Sequence, residues 1–203
     1  MKKGGLMNYQ ILVNKTNPVD KFFIPESLIE YLEYNGEKIA PDHKTLVEKE
    51  TLFAFFKMQA EAKKAGYAIL IDSAYRSYEY QKKILDKVLE EKGEEAYKTV
   101  ALPGTSEHQT GLAIDIALSR NGIYCDDFDD SAPEIQWLIN NAYRFGFILR
   151  YPKGKENVTG YNYEYWHFRY VGKELSMYMK DNQITTLEEY YINKNNIIRK
   201  ECN

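Results

Sequence analysis

Apolar positions along this chain recur with two periods, and the switches between them mark out the elements. Between Thr45 and Gly66 they return at Leu52, Phe56 and Ala60, the spacing of one helix face. Thr45 and Glu48 read as its capping box and Gly66 as its stop. "YAILID" (67–72) is a short strand, "SAYRS" turns out of it, and "YEYQKKILDKVLEEKG" is a second helix ending at Gly93. "GLAIDIAL" (111–118) alternates as a strand does and is followed by an acidic loop through "CDDFDD". "SAPEIQWLINNAYRFG" is a helix with Ser131 as N-cap, Glu134 completing the box and Gly146 as the stop. "FILRY" and the aromatic "YEYWHFRYV" are strands, and two short helices close the chain, the last capped by Thr185 with Glu188. Residues 1–40, punctuated by Pro and Asn, predict an extended arm lying on a domain formed by residues 41–203. Helices and strands alternate without a βαβ rhythm. The expected fold is α+β, a compact single domain with a mostly antiparallel central sheet flanked by helices.

Composition changes this picture little. With 203 residues the chain suits one domain and one sizeable core. A net charge of −3, with acids and bases interspersed, excludes a nucleic-acid footprint and a polybasic membrane patch. Cys125 and Cys202 do not make a disulfide framework and are expected to be incidental. The N-terminus opens with two lysines, but its longest apolar run is Ile11-Leu12-Val13, too short for a secretory leader or a membrane span. The expectation is a soluble monomer, cytoplasmic if the chain is complete and of the cell envelope or beyond if a leader or anchor was removed.

The chemistry concentrates around two strands. In "LAIDIAL" the residues Leu112, Ile114, Ile116 and Leu118 share the core face, and Asp115 shares the other with Ala113 and Ala117. Two alanines beside an acid leave room for something other than a side chain. His108, in the loop ahead of the strand, can fold back over that room, with Gly111 supplying the backbone freedom. In "YEYWHFRYV", His167 shares a face with Tyr165 and Arg169. Glu164, three positions earlier, falls on the opposite face unless the strand is bulged or starts after it. Three N/O ligands with one position left for water is the arrangement of a catalytic zinc, and no cysteine cluster competes. Taken singly, each of these residues is more often a satisfied core group than a ligand. His43, in a Pro-Asp-His-Lys loop, carries no functional reading.

The joint pattern is more specific. "SAYRSYEYQ", "PGTSEHQTGLAIDI" and "YEYWHFRYV" resemble the VanY-type zinc D-alanyl-D-alanine carboxypeptidases, with the VanXY-type D,D-peptidases and LdcB-type L,D-carboxypeptidases as close relatives. The resemblance runs from about Asn14 to Tyr191, nearly the whole domain, and implies the α+β fold shared with the hedgehog signalling domain. It implies one Zn²⁺ per chain held by His108, Asp115 and His167, with Glu164 as catalytic base. It makes Arg76 the catalytic anchor of the substrate's terminal carboxylate, and Ser106 and Gln81 lining residues of the peptide cleft. Trp166, with Tyr165, is a candidate wall of that cleft on its own chemistry, although an aromatic stripe in a strand is more often core. Tyr165 departs from the VanXY-like members, which have proline there, and "GKELS" after "RYV" looks more VanY-like than dipeptidase-like. The implied substrate is a peptidoglycan stem peptide or precursor ending in D-Ala, cleaved to release that residue. Hydrolysis of the tetrapeptide stem, hydrolysis of free D-Ala-D-Ala, and an inactive zinc-holding module are the alternatives.

Overall fold

The computed structural model describes residues 7–32 and 45–201. The first half runs β1 (Leu28–Glu30), β2 (Leu46–Glu48), α1 (Lys49–Lys64), β3 (Ile69–Ser73), α2 (Tyr78–Lys92) and the single turn α3 (Ala96–Thr99). Then come β4 (Ala113–Arg120), β5 (Ile123–Cys125), α4 (Pro133–Asn141), β6 (Phe147–Tyr151) and the single turn α5 (Glu156–Thr159). β7 (Glu164–Tyr170), α6 (Lys173–Asp181) and α7 (Leu187–Glu201) complete the chain. β3, β4, β7 and β6 pair antiparallel in that order, β5 folds back onto β4, and β1 and β2 form a separate ladder. This is the α+β architecture with an antiparallel sheet that the interspersed elements predict.

Strand alternation decides what each face of the sheet does. Ile69, Ile71, Ile114, Ile116, Leu118, Phe147 and Phe168 are all buried on one face, against Leu52, Phe55 and Met58 of α1 and Ile135 and Leu138 of α4. Each such side chain contributes about 1.5–3 kcal/mol by leaving water. The other face of β6 is covered by Leu175, Met179 and Leu187 of α6 and α7, packed on Ile148 and Val171. Between that patch and β3, the second face is left to polar residues of β4 and β7, and the functional chemistry sits there.

Residues 7–32 lie along the domain. Val19 N–H donates to the Gly104 carbonyl, and Gln109 Nε2 donates to the carbonyls of Asp20 and Phe23. The expected boundary at 40/41 and His43 fall outside the described residues, as does Cys202. Among the described residues no helix is long and apolar enough to cross a membrane.

Several helix ends differ from their sequence signals. Residues 46–48 are a strand paired with β1, so Thr45 and Glu48 are not a capping box. Glu48 itself is the N-cap of α1, accepting from Thr51 N–H at 3.0 Å. The buried stripe of α1 is Leu52, Phe55, Met58 and Ala62, while Phe56 and Ala60 face solvent. At α4 the cap position is Ala132, because Ser131 is taken by Asp129: both its N–H (2.8 Å) and its hydroxyl (2.5 Å) donate to that carboxylate. The capping box of α7 is Thr186 with Glu189, one residue later than expected, and α7 is long. Glu188 is instead buried against Arg150. The acidic loop also holds a strand, β5.

Candidate functional site

In the β4–β7 ladder Asp115 lies directly opposite His167, and Ala113 opposite Arg169. Directly opposed residues on one face are contact neighbours. His167 Nδ1 is 2.9 Å from Asp115 Oδ1. His108 comes from a 3₁₀ turn, Glu107–Thr110, just ahead of β4. Gly111 makes the return possible: at φ +68 an added Cβ would lie 3.0 Å from Leu28 and 3.2 Å from the Glu48 backbone nitrogen. The turn brings His108 Nε2 to 3.2 Å from Asp115 Oδ2. One ligand atom each from His108, Asp115 and His167 lie within 4.8 Å of one another.

This donor set fits a metal ion. His108 Nδ1 is 2.6 Å from the Ala74 carbonyl, which can only accept, so Nδ1 carries the proton and Nε2 is left as a buried nitrogen without a hydrogen-bond partner among the described residues. Two imidazoles and a carboxylate without thiolates suit a borderline dication. Burial, reinforced by Arg76, pushes His108 down to about 4, which leaves it neutral and available as a ligand. Burial also opposes charge on His167, but the hydrogen bond to Asp115 and the nearby carboxylates of Glu107 and Glu164 outweigh it and raise the ring to about 9. Asp115 is held well below the usual carboxylate range by the two imidazoles, against the effect of its burial.

The conflict over Glu164 is resolved by a bulge. Leu149 pairs with Phe168, yet Tyr151 pairs with Glu164, so β7 carries extra residues across this stretch. The irregularity brings Glu164 onto the site, with Oε2 3.9 Å from His167 Nδ1. Burial pushes its carboxyl up to about 7, against the pull of His167. The same bulge takes Tyr165 off the face it was expected to share with His167. Its ring packs on the main core and its hydroxyl donates to the Phe128 carbonyl at 2.5 Å.

Arg76 leaves the end of β3 and reaches the same cluster. Its backbone N–H donates to the His108 carbonyl at 3.2 Å. Its guanidinium donates to Gln81 Oε1 and Asp115 Oδ2, both at 3.2 Å, while Nε is buried and has no hydrogen-bond partner among the described residues. Gln81 is buried and braces Arg76 while donating to the Ala101 carbonyl at 3.0 Å. A cleft of about 70 Å³ is lined by Arg76, Gln81, Ser106, His108, Glu164 and His167. Trp166 is not on it; it lines an adjoining recess with Asp115, Tyr165 and Phe128. Two wall residues escaped sequence reasoning. The Tyr151 ring centroid is 4.8 Å from that of His167, and Tyr161 packs on Tyr151 at 5.0 Å. Nothing in "FILRY" marks its last residue as different from a core tyrosine.

Residues 44–173 match the VanY family model, described as D-alanyl-D-alanine carboxypeptidase. A D-alanyl-D-alanine carboxypeptidase of Enterococcus faecalis is 40% identical over 191 residues, which cover 89% of this chain and 64% of that protein. This chain therefore spans less than two thirds of that relative's length. The LdcB LD-carboxypeptidase structure superposes with a TM-score of 0.80 at 42% identity, covering 91% of this chain and 86% of that one. A VanY D,D-pentapeptidase structure in complex with Zn(II) gives 0.74 at 32% identity, covering 90% and 98%.

Proposed function

Because the chain belongs to the VanY family of D-alanyl-D-alanine carboxypeptidases, we propose that it is a zinc peptidase removing the C-terminal D-alanine from peptidoglycan stem peptides. The observation that carries this reading is convergence. His108 and His167, a buried carboxyl near neutral pKa and an arginine fork line one narrow cleft, and Asp115 joins the two imidazoles from the adjoining recess. His108, Asp115 and His167 would hold a zinc ion, which would supply an acidified water and Lewis-acid polarisation there. Glu164 takes the proton from the attacking water and returns it to the departing amine, a double role suited to a pKa near 7. Arg76 receives the substrate's terminal carboxylate, its planar fork matching the two oxygens. Gln81 keeps that fork aimed, and Ser106 shapes the wall beside it. The small cleft suits a terminal residue with a methyl side chain better than a bulky one. The TM-score of 0.80 to an LD-carboxypeptidase makes cleavage of the tetrapeptide stem the second reading.

The test is a double cycle with free and C-terminally amidated peptide, using wild type and Arg76→Ala. A charge-assisted hydrogen bond of this kind is worth about 1.5–3 kcal/mol, so Arg76→Ala should lose about 10- to 150-fold in kcat/KM. Amidation should cost the wild type a similar factor and the variant little, since both changes remove one interaction. Zinc content is measured in parallel because Arg76 also touches Asp115. If amidation costs the variant as much as the wild type, Arg76 does not hold the carboxylate.

A further inference from the structure

Behind the cleft, four buried charged side chains form one network. Arg150 and Arg169 both donate to the same oxygen of Glu107, Oε1, at 2.8 and 2.7 Å. Arg150 also grips both oxygens of Glu188 at the start of α7, at 2.9 and 2.7 Å. Arg169 reaches the carbonyls of Tyr9 and Ile11 at 3.1 and 2.8 Å, which ties the N-terminal segment to the same unit. Glu107 is fully enclosed, and the two guanidiniums hold its carboxyl below the usual range against the effect of burial. Among the described residues its other oxygen, Oε2, has no hydrogen-bond partner, and neither does His167 Nε2. These two orphan atoms face each other at 3.6 Å. An unpaired buried acceptor is costly, so an arrangement that leaves Oε2 aimed at an imidazole nitrogen calls for a role.

We infer that Glu107 is a positioning residue that fixes His167 with its proton on Nε2, leaving Nδ1 as the metal-binding atom. The inference rests on the reading of His167 as a ligand and goes beyond it. The two histidines would then be locked in opposite tautomers, His108 by the Ala74 carbonyl on Nδ1 and His167 by Glu107 on Nε2. The arginines make this orientation robust. They claim one carboxylate oxygen between them, and only the other is left for the ring.

Glu107→Gln tests it with almost no change of shape. A glutamine has one accepting oxygen, and the two arginines, both pure donors, will take it. Its NH₂ must then face His167 Nε2, which favours a lone pair there and a proton on Nδ1, the wrong tautomer for binding. Glu188→Gln is the control, because it disturbs the same network through Arg150 without approaching the ring. Zinc affinity is measured by chelator competition for the three proteins, with ¹⁵N shifts of the His167 ring recorded in the zinc-loaded wild type. Glu107→Gln should bind zinc about 10- to 100-fold more weakly, and Glu188→Gln should bind as the wild type does. Equal zinc affinity in Glu107→Gln and wild type overturns the inference, as does an equal loss in both variants. The wild-type spectrum decides independently of whether either variant folds. Zinc on Nδ1 with a protonated, slowly exchanging Nε2 supports the inference, and zinc on Nε2 overturns it. A His167 ring that does not respond to zinc at all would instead refute its assignment as a ligand.

Discussion

Glu164→Ala should stop turnover, by about 10²-fold or more, while zinc stays bound. The separation of the two effects is the point. Glu164 lies against the metal cluster without belonging to the three residues whose ligand atoms converge. Removing it therefore takes away a proton acceptor and leaves the binding atoms in place. Burial that brings its carboxyl up to about 7 makes it both a competent base and, once protonated, a competent acid. Glu164→Gln keeps the shape of the side chain and should be as inactive as alanine. Metal analysis beside the kinetics makes the result decisive. Loss of zinc from either variant would make Glu164 a ligand, and near-normal turnover would remove it from the reaction.

The opposite coupling is expected at the cluster itself. His108→Ala and His167→Ala should each lose zinc and activity together, with activity following metal content across the series. A fully loaded His167→Ala protein with normal turnover would sink the ligand assignment. Metal uptake should also depend on pH in a defined sense. The metal-free His167 ring, raised to about 9, is protonated at neutral pH and must give up that proton to bind, whereas His108 is already neutral. Affinity should therefore rise as pH increases toward 9, with about one proton released per zinc near neutrality. Uptake independent of pH between 6 and 9 contradicts this.

How much of this was legible depended on whether the signal was local. The alternation in "LAIDIAL" placed Asp115 on the face away from Ile114 and Ile116, and the structure keeps it there. Gly111 was readable as the hinge before that strand because its left-handed backbone is a local demand. The bulge in β7 was visible only as a conflict between Glu164 and His167, since the extra residues are defined by pairing with β6, which the β7 sequence does not contain. The caps at Thr45 and Ser131 failed for a related reason. Glu48 and Asp129, each close in sequence, had partners set by tertiary pairing or by the preceding loop. Glu107 carries no local signal. Its role depends on arginines 43 and 62 positions away in sequence, and no window of the chain contains them.

The central claim is that this chain removes one D-alanine with zinc, and product analysis addresses it most directly. A stem pentapeptide ending in D-Ala-D-Ala, a tetrapeptide and free D-Ala-D-Ala are each incubated with zinc-loaded, chelator-stripped and zinc-restored protein, and the products are read by mass spectrometry. The prediction is loss of a single D-Ala from the pentapeptide, absent from the stripped protein and restored by zinc. Cleavage confined to the tetrapeptide or to the dipeptide would move the activity to a neighbouring member of the same chemistry. An intact pentapeptide with loaded protein, or cleavage indifferent to chelation, would contradict the account.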